Sequence, residues 1–442
     1  MNDTLTSPPG HATAPTTGTV ARGRLEAIDM ARFLAIIGMV AAHVALIPIP
    51  GLSLAVDGPP AALFAILGGA SAVLATRGRV ARHGRWGAAA SLWARGAVLI
   101  AVGVLLEVVP APVTIVLVPF GVTLLLLPAF LQMRSKHLLV AIGVLALAGP
   151  LANHAVREAL SLDTLGELSF VSPAAFLHSV LFTGTYPVVT WLTYALIGVV
   201  TIRALLRARE WGTMRALGRR LLWWGFAAAA LAGAISLVQV QLSLVPRLEG
   251  QGFSPLTTHL FAMMPSFGGP LGGGLDALLI ASPHSGSTGD IIRTTGLALA
   301  LVGFLVARGA VKGASTSLLV RSVRAAGAAP LTLYVLHVLV LGLLWWAAPA
   351  PGGEAGSAWW LTGPGAFALQ LLMVIAVGWA LARTGRRGPL ETGMSTLATA
   401  GAAAVGGRGR RESCSIVRGP ADPMATGEVS WCRASREGMM EP

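Results

Sequence analysis

The amino-acid sequence predicts an all-α membrane protein: a polytopic bundle of about 10–11 transmembrane helices with both termini in the cytoplasm. Of its 442 residues, 54% are hydrophobic and only 12% are charged, about half the charged fraction of a soluble protein. Its mean hydropathy is +0.72. Apolar segments occupy nearly the whole chain. One embedded domain therefore accounts for a length that would otherwise suggest two or three soluble domains.

About ten apolar segments are long enough to cross a bilayer, or nearly so. They cover roughly residues 29–50, 58–76, 88–108, 112–132, 137–153, 184–204, 220–242, 291–307, 328–349 and 361–383. The connection at 243–290 is interrupted by Gly and Pro yet too apolar for a plain loop. Irregular backbone at membrane depth is tolerated only where protein or a water-filled cavity covers it. We expect a re-entrant or broken helix there, with a paired eleventh span as the alternative.

The distribution of basic residues predicts the orientation. The net charge is +13, and nearly all Lys and Arg lie in short connections between apolar segments. Alternate connections hold most of them, including Arg77, Arg79, Arg82, Arg85, Arg134, Lys136, Arg203, Arg207, Arg308, Arg321 and Arg324. The opposite connections hold only Arg157 and Arg247, with Arg293 at a helix edge. The positive-inside rule then places both termini in the cytoplasm of a multi-pass protein of the cell membrane. This pattern argues against a nucleic-acid partner.

The two ends differ from the rest of the chain. Residues 1–24 are rich in Thr and Pro and are predicted to be a disordered tail, followed by the membrane domain at 25–392 and a disordered cytoplasmic tail at 393–442. The first segment has no basic leader, apolar core or cleavage site, so the first span is expected to act as an uncleaved insertion signal. The only cysteines, Cys414 and Cys432, indicate neither a disulfide framework nor a cysteine metal site.

The first span carries the candidate catalytic residues Asp29, Arg32 and His43. The eleven positions between Arg32 and His43 return the side chain to within about 20° of the same helix face, roughly 16 Å further along the axis. Ionisable groups are costly in hydrocarbon, so this stripe should border the protein interior or a wet cavity. His43 is a candidate general base; the alternative is a structural histidine bonded to a neighbouring helix. Arg32 suits phosphate oxygens, and Asp29 is expected to pair with it and hold its geometry.

An arginine followed eleven positions later by a histidine on the first membrane helix resembles the transmembrane acyltransferase superfamily, which includes acyltransferase-3 proteins and relatives of heparan-α-glucosaminide N-acetyltransferase. Five further stretches are similar to the bacterial branch that carries that acetyltransferase domain and a DUF418-type C-terminal half. They are LFAILGGASAVLATRG (63–78), GTYPVVTWLTYALIGV (184–199), PHSGSTGDIIRTTGLALA (283–300), APLTLYVLHVLVL (329–341) and RRGPLE (386–391). The resemblance covers about residues 24–391.

This resemblance implies a membrane transferase that takes an acyl group, often acetyl, from acetyl-CoA or another acyl-CoA at the cytoplasmic face. The acceptor would be a cell-envelope glycan or a small molecule, and no metal is implied. Arg32 would position the donor, and His43 would activate the acceptor or relay the acyl group. The luminal histidine motif of the human lysosomal enzyme is not found in this chain. The role of activating the acceptor or relaying the acyl group is therefore placed on His43, as in the acyltransferase-3 pattern. Heparan sulfate is not the expected acceptor.

Two other functions stay open at this stage. In a proton-coupled transporter or permease, the polar stripe of the first span would be the coupling site. Transporters usually show repeats with matched broken helices, and the sequence has no second copy of the Asp-x-x-Arg…His pattern, which argues against that function. The third possibility is a degenerate protein that keeps the fold but has lost the activity. The sequence leaves homo-oligomerisation open.

The remaining candidates are assigned to substrate binding. His284, beside Ser285 and ahead of Arg293, either contributes to acceptor binding or acid–base chemistry, or caps the helix that starts near Asp290. Arg95 either joins Arg32 at the donor phosphates or, as we favour here, snorkels towards the cytoplasmic end of its span.

Tyr334 and His337 lie one turn apart on the ninth span. They are candidates for lining the same cavity. Hydrogen bonding between helices is the role that we favour for each, since polar side chains commonly join helices within a membrane.

Overall fold

The computed structural model describes residues 26–44, 52–162, 168–309, 317–348 and 359–414. Within these ranges the chain forms α-helices joined by turns and no β-strand. The helices are α1 (Glu26–Val44), α2 (Leu52–Val56), α3 (Pro59–Leu106), α4 (Leu117–Leu126), α5 (Ser135–Ala159), α6 (Pro173–His178), α7 (Val188–Glu210), α8 (Met214–Gln239), α9 (Val245–Glu249), α10 (Pro255–Ala262), α11 (Leu275–Leu279), α12 (Thr288–Ala307), α13 (Leu318–Gly327), α14 (Pro330–Trp346), α15 (Gly363–Thr384) and α16 (Pro389–Cys414). The all-α polytopic bundle predicted from the sequence is confirmed. The tail predicted at 1–24 lies outside the described residues.

Seven helical stretches of the described chain are long and apolar enough to cross a membrane, or eight if α13 and α14, which meet at 85°, form one span. Every predicted span has a helix, but the helices are divided differently. The predicted spans 58–76 and 88–108 are the two arms of α3, which follow each other directly across a kink. The helix predicted at 112–132 is short, because only Leu117–Ala129 is helical. These two differences reduce the ten predicted spans to eight, and the count of seven also leaves out the pair of α13 and α14.

The 48-residue helix α3 is bent at Gly84, which has φ 67° and ψ −178°. A positive φ is readily adopted only by glycine. Both arms of α3, on either side of Gly84, line one internal cavity, with Ser71 from the first arm and Leu92 from the second. A straight helix of this length would extend about 72 Å. The kink at Gly84 therefore divides α3 into two helical arms, which supply two passes of the bundle.

Glycines bring two helix pairs into backbone contact. A Cβ atom at Gly69 of α3 would collide with the carbonyl oxygen of Ala195 in α7. In the second pair, Gly225 of α8 faces Gly296 of α12, and a Cβ on Gly225 would lie 2.6 Å from the Gly296 carbonyl oxygen. Small residues at membrane helix crossings allow this close approach. The pairs α3–α7 and α8–α12 are therefore tightly packed parts of the bundle.

The connection 243–290 contains short helices, not an eleventh span. Within it α9, α10 and α11 have 5, 8 and 5 residues, too few to cross a bilayer. Glycine and proline interrupt the helical pattern, as the broken-helix expectation required. The segment is tied down by hydrogen bonds, including Gly268 N–H to the His284 carbonyl at 2.7 Å and Ser266 N–H to the Pro283 carbonyl at 2.8 Å.

The C-terminal tail predicted to start at residue 393 is instead helical as far as Cys414. The α16 helix packs along α3 through small side chains, and Ala398 and Ala402 are fully buried. Glu391 fixes its start, because its carboxylate accepts hydrogen bonds from the backbone N–H groups of Leu331 and Thr332 at 2.6 and 3.0 Å. Small residues carry little hydropathy signal, which is why the sequence pattern missed this helix. Residues 415–442 lie outside the described chain.

Basic residues from separate connections meet at one end of the bundle. Arg203 at the end of α7 donates to the carbonyls of Leu131 and Met133, both at 2.8 Å. Arg79, next to the α3 bend, donates to Thr399 of α16 at 3.3 Å. The α3 bend, the turn after α4 and the end of α7, three of the basic connections expected to lie on one side, thus lie close together. We call this the basic end; its cytoplasmic orientation is a prediction.

Candidate functional site

The first polar cluster on α1 is centred on Arg32. One guanidinium nitrogen donates to the Asp29 carboxylate at 2.7 Å, and another donates to the Ser71 hydroxyl of α3, also at 2.7 Å. Asp29 is only 5% exposed. A buried charge is tolerated when it is paired and hydrogen-bonded. The pairing of Asp29 with Arg32 predicted from the sequence is therefore present, with Ser71 as an additional partner.

A cavity of about 130 Å³ lies beside this cluster. Arg32, Ser71 and Arg95 supply its polar lining, and apolar residues of α3, α4, α14 and α16 supply the rest. The Nε atom of Arg95 is buried and has no hydrogen-bond partner in the described chain. Leaving such a donor unpaired costs about 1–3 kcal/mol. Arg95 thus lies with Arg32 at one cavity, and one of these two guanidinium groups, that of Arg32, is paired with Asp29.

The second polar cluster joins α1 to α14 and α15. His43 Nδ1 lies 2.9 Å from His337 Nε2, with the two ring planes only 8° apart. His337 Nδ1 in turn lies 3.2 Å from Gln370 Oε1. His337 and Gln370 are each 2% exposed, whereas His43 is only partly buried. We call these three residues the imidazole relay. His337 takes the interhelical hydrogen-bonding role that the sequence favours, with His43 as one of its partners.

The contacts of the imidazole relay fit one assignment of the ring protons, in which Gln370 Oε1 is the acceptor at one end. Because Gln370 Oε1 is an acceptor, His337 carries its proton on Nδ1, and its Nε2 is left as an acceptor. His43 must then donate from Nδ1, which leaves a lone pair on its own Nε2. That nitrogen has no hydrogen-bond partner within the described residues. A base whose other nitrogen is held by a second group has the arrangement that general-base catalysis requires.

Apolar side chains separate the two polar clusters on α1. Ile36, Met39 and Val40 lie between Arg32 and His43 on the same side of the helix, and they are 2%, 8% and 1% exposed. In the described chain, the lining of the cavity at Arg32 does not include His43. The stripe predicted from the sequence therefore forms two sites about 16 Å apart, with buried apolar side chains between them.

A third group of polar residues lies near His43, around the loop before α12. His284 adopts a left-handed backbone conformation with φ 57°, and its ring packs edge-on against Tyr186 with centroids 5.6 Å apart. Both rings line a small cavity of about 30 Å³. Burial, together with the positive charge of Arg293, lowers the pKa of His284 to about 4. Burial, reinforced by the negative charge of Asp57, raises the pKa of Tyr186 to about 12.

The start of α12 explains the other predicted residues of this region. Ser287, not His284, caps the helix, because its hydroxyl accepts from Asp290 N–H at 2.9 Å. The alternative in which His284 caps α12 is therefore wrong. Ser285 is fully buried and bonds Ser287 at 3.1 Å. Arg293 donates to the Asp290 carboxylate at 2.9 Å and to the Leu54 carbonyl at 2.8 Å. Ser285 and Arg293 therefore have structural partners here.

Tyr334, the last of the predicted residues, is 3% exposed, and its hydroxyl accepts from Val116 N–H at 3.2 Å. It joins α14 to the start of α4, which is the interhelical role favoured by the sequence. Gln370 was missed at the sequence level. Its signal is a lone amide in an otherwise apolar span, a pattern that marks polar contacts inside membrane bundles.

Among the described residues, no three His, Cys, Asp or Glu side chains lie together as a metal site would require. No protein-family model matches the chain, and no curated protein matches it significantly. The membrane fold and the polar clusters themselves are thus the basis for a functional proposal.

Proposed function

We propose that this chain is an integral-membrane acyltransferase that moves an acyl group, typically acetyl, from a cytoplasmic acyl-CoA to a carbohydrate or other acceptor of the cell envelope. The observation that carries the proposal is the imidazole relay of His43, His337 and Gln370, which orients His43 and leaves its Nε2 unpaired in the described chain. The resemblance of the first helix to transmembrane acyltransferases supplies the reaction class.

In the proposed reaction, His43 Nε2 takes the proton from an acceptor hydroxyl, and that oxygen attacks the thioester carbonyl. The carbon–sulfur bond then breaks, an ester forms, and the departing CoA sulfur receives the proton from the imidazolium. His337 and Gln370 hold the ring in place, as the third group of a catalytic triad does. A positioned general base contributes about 10²–10⁴-fold to such a rate.

The cluster at Arg32 supports binding of the donor. Arg32 and Arg95 face one cavity, and a guanidinium group is well suited to phosphate and carbonyl oxygens. Arg32 also lies near the start of α1, where Glu26 pairs with Arg324. The 130 Å³ cavity accommodates only a portion of the donor. Transfer to His43 therefore requires that Ile36, Met39 and Val40 shift to admit the thioester arm.

The test uses the full chain, purified in detergent, with radiolabelled acetyl-CoA and an envelope extract as the source of acceptor. Release of free CoA thiol and transfer of label are both measured. His43→Ala should lower turnover by about 10²–10⁴-fold. His137→Ala, at an exposed histidine of α5, is the matched control and should keep wild-type turnover. Equal turnover by His43→Ala and wild type would remove His43 from the mechanism.

The transporter alternative has a separate test. The same polar groups inside the bundle would suit proton coupling, because ionisable residues in membrane helices commonly mark proton pathways. Proteoliposomes that contain the chain but no acyl donor should show no proton-driven solute uptake. Uptake that is abolished by His43→Ala in the absence of any acyl-CoA would replace the acyltransferase proposal.

A further inference from the structure

A groove of about 990 Å³ lies at the basic end, outside the proposed site. It is formed by both arms of α3, the turn after α4 and the end of α7. Its charged side chains are Arg77, Arg85, Arg203, Arg207 and Glu210. Four positive charges against one negative charge make this groove a site for an anionic ligand. We call it the arginine groove.

The arginine groove faces outward from the bundle. On the first arm of α3, Val73 and Thr76 line the groove, whereas the preceding residues Ala72 and Ala75 line the internal cavity. Consecutive residues of a helix point about 100° apart. Large apolar side chains on the groove side, Trp86 and Trp93, are 58% and 40% exposed. In a bundle surrounded by lipid, exposed side chains of this kind at the level of the charged connections are typical of the membrane interface.

Three arginines of the groove are available to a ligand. Arg203 is occupied by two backbone carbonyls. Arg77, Arg85 and Arg207 are exposed, and within the described residues none of them has a hydrogen-bond or ion-pair partner. Arg85 lies over the Trp86 ring, 5.5 Å from its centroid, which holds the guanidinium group at the rim.

The floor of the groove is apolar. It is built from Leu125, Leu126, Leu131 and Leu206 together with Pro128, and Leu126 is 42% exposed. A small soluble anion would satisfy the arginines but would leave this apolar floor uncovered. An amphiphile with a phosphate head and acyl chains satisfies both parts, and basic pockets at the ends of membrane helices bind such headgroups.

We propose that the arginine groove binds an anionic phospholipid, with its phosphate held by Arg77, Arg85 and Arg207 and an acyl chain lying on the leucine floor. The contact is independent of acyl transfer. It would anchor the bend of α3 to the end of α7 at the membrane surface.

The test is native mass spectrometry of the full chain, released from detergent with either phosphatidylglycerol or phosphatidylcholine at equal concentration. Wild type should retain phosphatidylglycerol in preference to phosphatidylcholine. Arg85→Gln/Arg207→Gln should weaken retention of phosphatidylglycerol by about 25-fold, at roughly fivefold for each arginine. The matched control is Arg215→Gln/Arg219→Gln, which removes two exposed arginines of α8 outside the groove. This control should keep wild-type retention.

A soluble competitor distinguishes a lipid from a free phosphate compound. ADP at millimolar concentration should leave the bound phosphatidylglycerol in place. The proposal is overturned if ADP displaces the lipid, if the two lipids are retained equally, or if the control pair loses as much as the groove pair. Thermal unfolding of each variant in detergent should match wild type, because all four substituted side chains are exposed. Unfolding of the groove variant alone would also count against the proposal, since it would mean that these arginines serve the fold.

Discussion

The ion pair between Asp290 and Arg293 provides a quantitative test of the packing around α12. Arg293 and Asp290 are 5% and 2% exposed, and they are joined by a 2.9 Å hydrogen bond. Removing one partner of a buried pair leaves an uncompensated charge and costs about 3–5 kcal/mol, whereas replacing both by apolar side chains is often neutral or stabilising. We expect Arg293→Met to lower the free energy of unfolding by about 3–5 kcal/mol. The double variant Asp290→Leu/Arg293→Met should lower it by less than this.

The assay is reversible unfolding in mixed detergent micelles, followed by tryptophan fluorescence and circular dichroism. The double-mutant cycle should give a coupling of at least about 2 kcal/mol, because the two charges share one buried contact. Glu158→Gln is the control: Glu158 is 77% exposed in its 3.5 Å pair with His154, and an exposed pair contributes about 1 kcal/mol at most. Additive effects of the two single substitutions would refute the reasoning, since they would show that the two charges do not stabilise each other.

Two further predictions concern the polar groups near His43. Gln370→Glu should keep acyl transfer near wild type, because a carboxylate also accepts from His337 Nδ1–H. Gln370→Leu loses that contact and should lower turnover by about 5–150-fold. Equal turnover by the two variants would contradict the role of the imidazole relay. His284, with a pKa of about 4 in the folded chain and about 6.5 when unfolded, binds its proton more readily in the unfolded state. The free energy of unfolding should therefore fall as the pH drops from 6.5 to 4, by at most about 3 kcal/mol, and level off below pH 4. His284→Gln should flatten this part of the stability curve, and an unchanged curve would mean that another group is responsible.

Much of the architecture could be predicted because the bilayer requires long apolar helices, and each predicted span contains a helix. The helix α16 could not be predicted in this way. Its buried face is built from alanines such as Ala398 and Ala402, and small side chains produce close packing without a strong hydropathy pattern. The same limitation applies to Gly84, where a single positive φ sets the kink between two predicted spans.

The candidate site was predictable only within single helices. Periodicity placed Asp29, Arg32 and His43 on one face, and the Asp29–Arg32 pair follows directly from their spacing of three residues. The partners of His43 come from α14 and α15, almost 300 positions later in the case of His337. No local pattern relates residues so distant in sequence. The apolar side chains that separate Arg32 from His43 were also overlooked, because spacing along a helix does not show what fills the room beside it.

The close approach of Gly327 in α13 to the Asp29 carbonyl of α1 has a mechanical consequence. It brings the backbones of α1 and α13 together, and the chain then turns by 85° into α14, the helix that carries His337. A change in this angle moves His337 relative to His43. The contact between His43 and His337 thus depends on the angle between α13 and α14.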